Sequence, residues 1–180
     1  MRKRLPMSQM NDLKESGEFL RDMGGAALGA WLRRLSERID REAGRVYAEH
    51  GADFEQRWFG VMNQLALHGA LSVGEVALAL GVSHVAVSQT RQSLEKAELV
   101  VTEPDAHDRR SRKLRLTLKG QQFYLRMAPI WEELARVAVE LDREAGGVVA
   151  VLARLERALD RKPIPDRIKP IKPAKILPER

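Results

Sequence analysis

The sequence predicts a mainly α-helical chain with one small antiparallel β-hairpin, on three observations. Between Ser72 and Leu94 two runs of helical period are separated by a glycine turn. Between Leu99 and Thr117 two short β-prone runs flank a basic loop. Long amphipathic stripes precede and follow this block. The organisation that results is a basic arm at 1–17, helical pieces at 18–50 and 118–160, a compact head at 51–117 and a Pro/Lys-rich tail at 161–180.

In the first run Val73, Val76, Ala77 and Leu80 recur at helical spacing and Gly81 stops the helix. Ser83 then caps a second helix, its hydroxyl accepting from an amide of the first turn. Small Ala77 suits a close crossing, and Val82, Val87 and Leu94 are expected on the second helix's inner face. The outer face is then Ser83, His84, Val85, Ser88, Gln89, Arg91 and Gln92. Such side chains can donate to and accept from base edges in a major groove. An ordinary helical hairpin with a solvated face has the same pattern.

Leu99–Glu103 and Lys113–Thr117 read as strands around the tip Pro104–Arg112. Leu114 and Leu116 alternate with Lys113, Arg115 and Thr117, so one face packs and the other meets a polyanion or water. From Arg109 to Lys119 there are six cationic side chains and no acid. Asp108, Arg109, Arg110, Ser111, Arg112 and Lys113 are therefore the candidate wing contacts. Arginine at a loop tip suits a minor groove, where the potential is most negative. Asp108 could hold Arg110 extended through paired hydrogen bonds. Helix, turn, helix and hairpin together make a winged helix-turn-helix head.

In this order, with Asp108-Arg109-Arg110-Ser111, Leu116-Thr117 and Gly120 closing it, the chain resembles the MarR family of bacterial transcriptional regulators. Leu28–Ser36 and Tyr47–Gly51 resemble that family's first helix and its end. The likeness runs from about Phe19 to Leu159. It implies that Asp108 and Arg110 are the wing-tip Asp-x-Arg and that His84 to Gln92 form the recognition helix. It also implies a two-fold dimer, with repression as the commoner mode. Two heads related by two-fold symmetry would read a pseudo-palindromic operator, and a small aromatic or amphipathic effector wedged between bundle and head could release it. Two positions depart from the pattern. Ala86 stands where a hydroxyl residue is usual, and Glu98 where glycine is, which requires a left-handed Glu or a differently shaped helix end.

Composition agrees. The 180 residues, 44% apolar, suffice for one full domain with extensions. A net charge of +6 favours polyanionic partners, whether DNA, RNA or a membrane surface. With no cysteine there is no disulfide and no thiol redox switch. No run of 18 apolar residues occurs, and Met1–Pro6 leads into polar sequence, so a cytoplasmic protein is expected without membrane association.

Leu28, Trp31, Leu32, Leu35 and Ile39 form one stripe; Phe123, Met127, Ile130, Leu134, Val137 and Leu141 form another, with Pro129 expected to kink it. After Gly146-Gly147 comes a third, Val148, Val151, Leu152, Leu155 and Leu159. These assign 18–50 and 118–160 to a dimerisation bundle, the alternative being a monomer whose helices complete one core. Trp31, Arg38, Phe54, Trp58 and Met62 are the candidates for an effector cleft, core packing being the other account of the same aromatics.

His50, His68, His84 and His107 show no ligand spacing, so no metal and no cofactor are expected. Neither a phosphate loop with lysine, nor G-x-S-x-G, nor H-E-x-x-H occurs, so no enzyme is expected. Residues 161–180 carry five prolines and repeat Lys-Pro, which predicts an extended basic tail without helix. With Arg2, Lys3 and Arg4 it could add nonspecific phosphate contacts. A protein-interaction module, or a nonspecific architectural DNA-binding one, remains the rival reading of the head.

Overall fold

The computed structural model describes residues 16–105 and 111–169, the side chains of 16–18 excepted. Two compact units divide between Ala128 and Pro129. The order is α1 (Ser16–Asp22), a 3-10 turn (Gly24–Ala27), α2 (Leu28–Glu49), α3 (Trp58–His68), α4 (Val73–Leu80), α5 (His84–Lys96), β1 (Val100–Pro104), β2 (Arg112–Leu116), α6 (Leu118–Glu144), α7 (Val148–Arg161) and α8 (Ile164–Arg167).

In the first unit α2 buries little of itself: Ala43 and Tyr47 near its end are buried, whereas Leu28, Leu32, Leu35 and Ile39 stay exposed. The head core is built by α3, α4, α5 and the hairpin, with Val61, Met62, Val76, Val87, Leu94 and Leu114 almost fully buried. Side chains of this size contribute about 1.5–3 kcal/mol each when wholly buried. Aromatic rings close one side. Phe54 meets Tyr47 edge-on at 4.7 Å, Trp58 edge-on at 5.8 Å and Phe123 in a stacked pair at 6.1 Å. Phe123, placed by its stripe in the bundle, thus packs in the head core. The helix period groups apolar residues without saying which body each one faces.

Local signals explain the helix ends. Ser72 and Glu75 form a reciprocal capping box at the start of α4, and Gly81 ends it at φ 65°. Val82, expected inside, is 44% exposed, because it belongs to the turn before Ser83 and not to the helix. At the end of α5 the Leu99 amide bonds Leu94 O at 3.0 Å and the Glu98 amide bonds Glu95 O at 2.9 Å. This is a Schellman ending with Glu98 in the left-handed position at φ 62°, the first of the two outcomes its sequence position allowed.

The hairpin pairs Val100 with Leu116, Thr102 with Leu114 and Pro104 with Arg112. Its strands are β1 and β2 one residue later and one earlier than the sequence suggests, since Leu99 closes the helix ending and Thr117 begins the next helix. Leu114 and Leu116 face inward as the alternation requires. Leu71 adds a bridge, its amide and carbonyl both bonded to Leu114.

Thr117 binds both ends of this junction: its hydroxyl donates to Glu98 O at 2.7 Å and accepts from the Gly120 amide at 2.9 Å. A Cβ on Gly120 would lie 2.0 Å from Leu99 O, so only glycine fits there. The helix α6 that follows is continuous through Pro129.

In the second unit α7 has no buried residue, although Val148, Val149, Val151, Leu152 and Leu159 are spaced along it. Asp142 Oδ1 accepts from the Val149 amide at 2.8 Å, tying the Gly146-Gly147 turn. The tail is not wholly extended. Ile164–Arg167 forms a helical turn because Pro165 sits in its first turn, where no amide is needed, and Arg167 bonds Lys162 O and Ala158 O. Residues 1–15 of the arm and 170–180 of the tail lie outside the described residues.

Candidate nucleic-acid interface

Helix α5 starts where Ser83 Oγ accepts from the Ala86 amide at 3.2 Å. Its inward face is Val87, Thr90 and Leu94; the buried Thr90 hydroxyl is satisfied by Ala86 O at 3.0 Å. At 100° per residue the opposite face is centred on Val85 and Gln92, with Ser88, Gln89 and Lys96 beside them. Val85, Gln89, Gln92 and Lys96 are exposed and Ser88 is half-buried. Lys96 was missed by the sequence reading. The interval from Gln89 and Gln92 to position 96 places it on the same stripe, so the signal was present.

The remaining expected contacts are off this stripe. Ser83 caps the helix. His84 is exposed at one flank, its ring against the first turn of α4, where a Cβ on Gly74 would lie 3.2 Å from Cε1. Arg91 turns to the same flank, its Nη1 3.4 Å from Glu95 Oε1. The Arg91 Nε is buried and has no hydrogen-bond partner among the described residues. Glu95 in turn accepts from the Thr102 hydroxyl of β1.

The hairpin is less basic than its second strand suggests. Antiparallel pairing brings acids of the first strand across: Lys113 lies 3.3 Å from Asp105 and Arg115 binds Glu103 through two bonds of 2.7 and 2.6 Å. Below the hairpin Lys119 meets Glu98 at 2.8 Å. The Arg115 guanidinium holds the Glu103 carboxyl below its usual range, and the Lys119 ammonium does so for Glu98, in each case first through the hydrogen bond. Arg112 is exposed and makes no ion pair with a described residue. Ser111 O accepts from the Asp105 amide at 2.9 Å. Asp108, Arg109, Arg110 and His107 lie outside the described residues.

The five effector candidates are not gathered around one cleft. Met62 is fully buried, and Phe54 and Trp58 belong to the aromatic side of the core, Trp58 donating to Ser93 Oγ at 3.0 Å. Trp31 donates to Leu20 O at 3.2 Å under the Arg34 guanidinium, and exposed Arg38 binds Glu42 at 2.7 Å. An open groove of about 480 Å³ lies elsewhere, lined by Leu65, Ala70, Leu116, Tyr124 and Leu125 among others, and by none of the five. Among the described residues no group of three or more His, Asp or Glu could hold a metal ion, and no helix is long and apolar enough to cross a membrane.

The MarR family profile matches residues 52–111. Over that third of the chain the sequence is similar to the MarR family. Solved MarR-type structures share the architecture. S. aureus MepR in complex with DNA is 21% identical, covers 73% of this chain and 97% of its own, and superposes with a TM-score of 0.61. Bordetella bronchiseptica BpsR, whose DNA binding is regulated by 6-hydroxynicotinic acid, is 23% identical over 71% of this chain and 91% of its own, at 0.58. Streptomyces coelicolor PcaV, a transcriptional regulator in complex with its natural ligand, is 21% identical over 74% and 92%, at 0.56. At these identities they establish the MarR fold. No curated protein sequence matches the chain.

Proposed function

We propose that the chain is a sequence-specific DNA-binding transcriptional regulator of MarR type, a repressor acting in the cytoplasm as a homodimer on a pseudo-palindromic operator. The observation that carries this reading is the outward stripe of exposed Val85, Gln89, Gln92 and Lys96 with half-buried Ser88, on a helix whose other face is locked into the core. Two amides, a hydroxyl and a cation on one stripe suit base edges and a flanking phosphate. Arg112, and the wing-tip residues Asp108, Arg109 and Arg110, would extend the contact into the neighbouring groove.

The dimer is supported by apolar faces that the single chain leaves uncovered: Leu28, Leu32, Leu35 and Ile39 on α2, Val137 and Leu141 on α6, and Val148, Val151, Leu152 and Leu159 on α7. A two-fold pair would present two reading helices to half-sites related by the same symmetry. Release by a small aromatic or amphipathic molecule is the mode of switching we infer, in keeping with the ligand-regulated BpsR and ligand-bound PcaV. Such a molecule acts only through a difference in affinity between the DNA-competent and incompetent forms.

Selection from randomised duplex DNA at about 150 mM salt, where purely electrostatic binding is much weakened, tests the reading. The expected product is a pseudo-palindrome with half-sites about one helical turn apart. Binding without sequence enrichment would overturn it in favour of a nonspecific architectural module, and no binding would favour a protein-interaction module.

A further inference from the structure

The reading helix is gripped on both flanks by a hydroxyl bonded to a carboxylate. On one flank Ser93 Oγ donates to Glu55 Oε1 at 2.6 Å and accepts from the Trp58 indole at 3.0 Å. On the other, Thr102 of β1 donates to Glu95, which Arg91 also approaches. Two residues advance a helix by about 200°, so positions 93 and 95 lie on nearly opposite sides of the axis. Each tether therefore resists the roll that the other permits.

Both anchors are themselves held. Glu55 accepts from Arg57 Nε at 2.6 Å, and Gln56 beside it accepts from the Tyr47 hydroxyl at 2.6 Å, which ties the segment before α3 to the end of α2. The Glu55 carboxyl is held below its usual range, first by the Ser93 hydroxyl and then by Arg57 against the opposing effect of burial, so it stays an acceptor at neutral pH. Thr102 is fixed in the ladder opposite Leu114.

The packed side chains of Val87 and Leu94 hold the helix against the core, and the two hydrogen bonds, being directional, narrow the rotation that this packing leaves. With a radius of about 5–6 Å to its side chains, a helix that rolls by about 20° moves its outer groups by about 2 Å. That displacement exceeds the tolerance of a hydrogen bond to a base edge.

We propose that Ser93–Glu55 and Thr102–Glu95 are positioning pairs that fix the rotation of α5 about its own axis and thereby determine which bases Gln89 and Gln92 can read. The inference rests on the DNA-binding function proposed above. It assigns Arg91 and Glu95 to the support of the reading face and not to the face itself.

The test compares full-length wild type, Ser93→Ala, Thr102→Val, the double variant and Thr102→Ser on the selected operator and on random duplex, with urea unfolding alongside. A single tether lost should lower operator affinity about 3- to 10-fold, the net worth of one hydrogen bond, with random-duplex affinity unchanged. The double variant should lose more than the product of the two singles, and Thr102→Ser should bind like wild type. Folded variants that keep the wild-type ratio of operator to random affinity would overturn the proposal, as would equal losses on both DNAs. If the double variant does not fold, the two singles against Thr102→Ser decide in the same way. A wild type without preference for any sequence would overturn the underlying function and the pairs with it.

Discussion

Replacing Gly120 by alanine puts a methyl group 2.0 Å from the carbonyl oxygen of Leu99. Carbon–oxygen contacts of this kind settle at about 3.3–3.6 Å, so the two backbones must part by roughly 1.3 Å. Leu99 cannot yield freely. Its carbonyl accepts from the Thr117 amide at 3.0 Å and its amide completes the ending of α5 on Leu94 O. Thr117 likewise bridges Glu98 O and the Gly120 amide. Overpacking costs about 1–3 kcal/mol, and each backbone bond stretched beyond range adds about 1 kcal/mol. The expected total of roughly 3–5 kcal/mol is a large fraction of a domain's stability and lowers the melting temperature by roughly 10 °C. Gly44, inside α2 about a turn and a half before its end, is the internal control. A Cβ there meets nothing within 4 Å, so Gly44→Ala should stabilise by about 0.5–1 kcal/mol. Urea and thermal unfolding of both variants measure the contrast. A Gly120→Ala protein within about 1 kcal/mol of wild type would refute the claim that this junction admits no Cβ.

Three further outcomes are expected. Glu98→Gly should raise the melting temperature by relieving the left-handed backbone at φ 62°, while Glu98→Ala, which removes the carboxylate and keeps the strain, should not; equal melting points for the two would place the cost elsewhere. Glu55, Glu75, Glu98 and Glu103 all titrate below the ordinary value of 4.5, held there first by hydrogen bonds from Ser93, Ser72, Lys119 and Arg115 respectively. Depressed folded values mean that their stabilisation is complete above 4.5 and is lost as pH falls through the lowered values, so the urea midpoint should be level above that pH and drop below it; a midpoint that rises on acidification would contradict the assignment. Leu35→Glu combined with Ile39→Glu, at positions 44% and 61% exposed, should leave the head folded and convert the proposed dimer to a species of 20.3 kDa in sedimentation; a variant that stays dimeric would remove α2 from the proposed interface, and a wild type already at 20.3 kDa would refute the dimer.

Much of the head was legible because its signals are local. Gly81 and Ser83 mark the turn through a left-handed residue and a cap, and the alternation of Leu114 and Leu116 announces a half-buried strand; each follows from a few neighbouring residues. What escaped depends on partners distant in sequence. The pairing of Lys113 with Asp105 and Arg115 with Glu103 follows only once the hairpin register is known, so counting charge along one strand overstated the free cations. Arg91 reads as an outward residue until the phase of α5 is fixed by Val87 and Leu94, after which it falls on the flank. Phe54, Trp58 and Met62 are indistinguishable by pattern from a ligand cage, since both need large apolar side chains at helical spacing; that all three are buried emerges only with the fold. The turn Ile164–Arg167 was hidden because proline forbids a helix interior yet is welcome in a first turn.

The ladder of ion pairs along the hairpin has a thermodynamic consequence. When a protein cation neutralises a DNA phosphate, condensed counterions return to solution, and the logarithm of affinity falls with the logarithm of salt by about 0.9 for each phosphate so engaged. Lys113, Arg115 and Lys119 arrive already accompanied by Asp105, Glu103 and Glu98, so they release little. Lys96 and Arg112 make no ion pair with a described residue, and on the DNA-binding function proposed above they are the cations of this face expected to displace ions. On that proposed function, a chain with a net charge of +6 should bind its site with a shallower salt dependence than its basicity implies, leaving more of its affinity to contacts that distinguish one sequence from another.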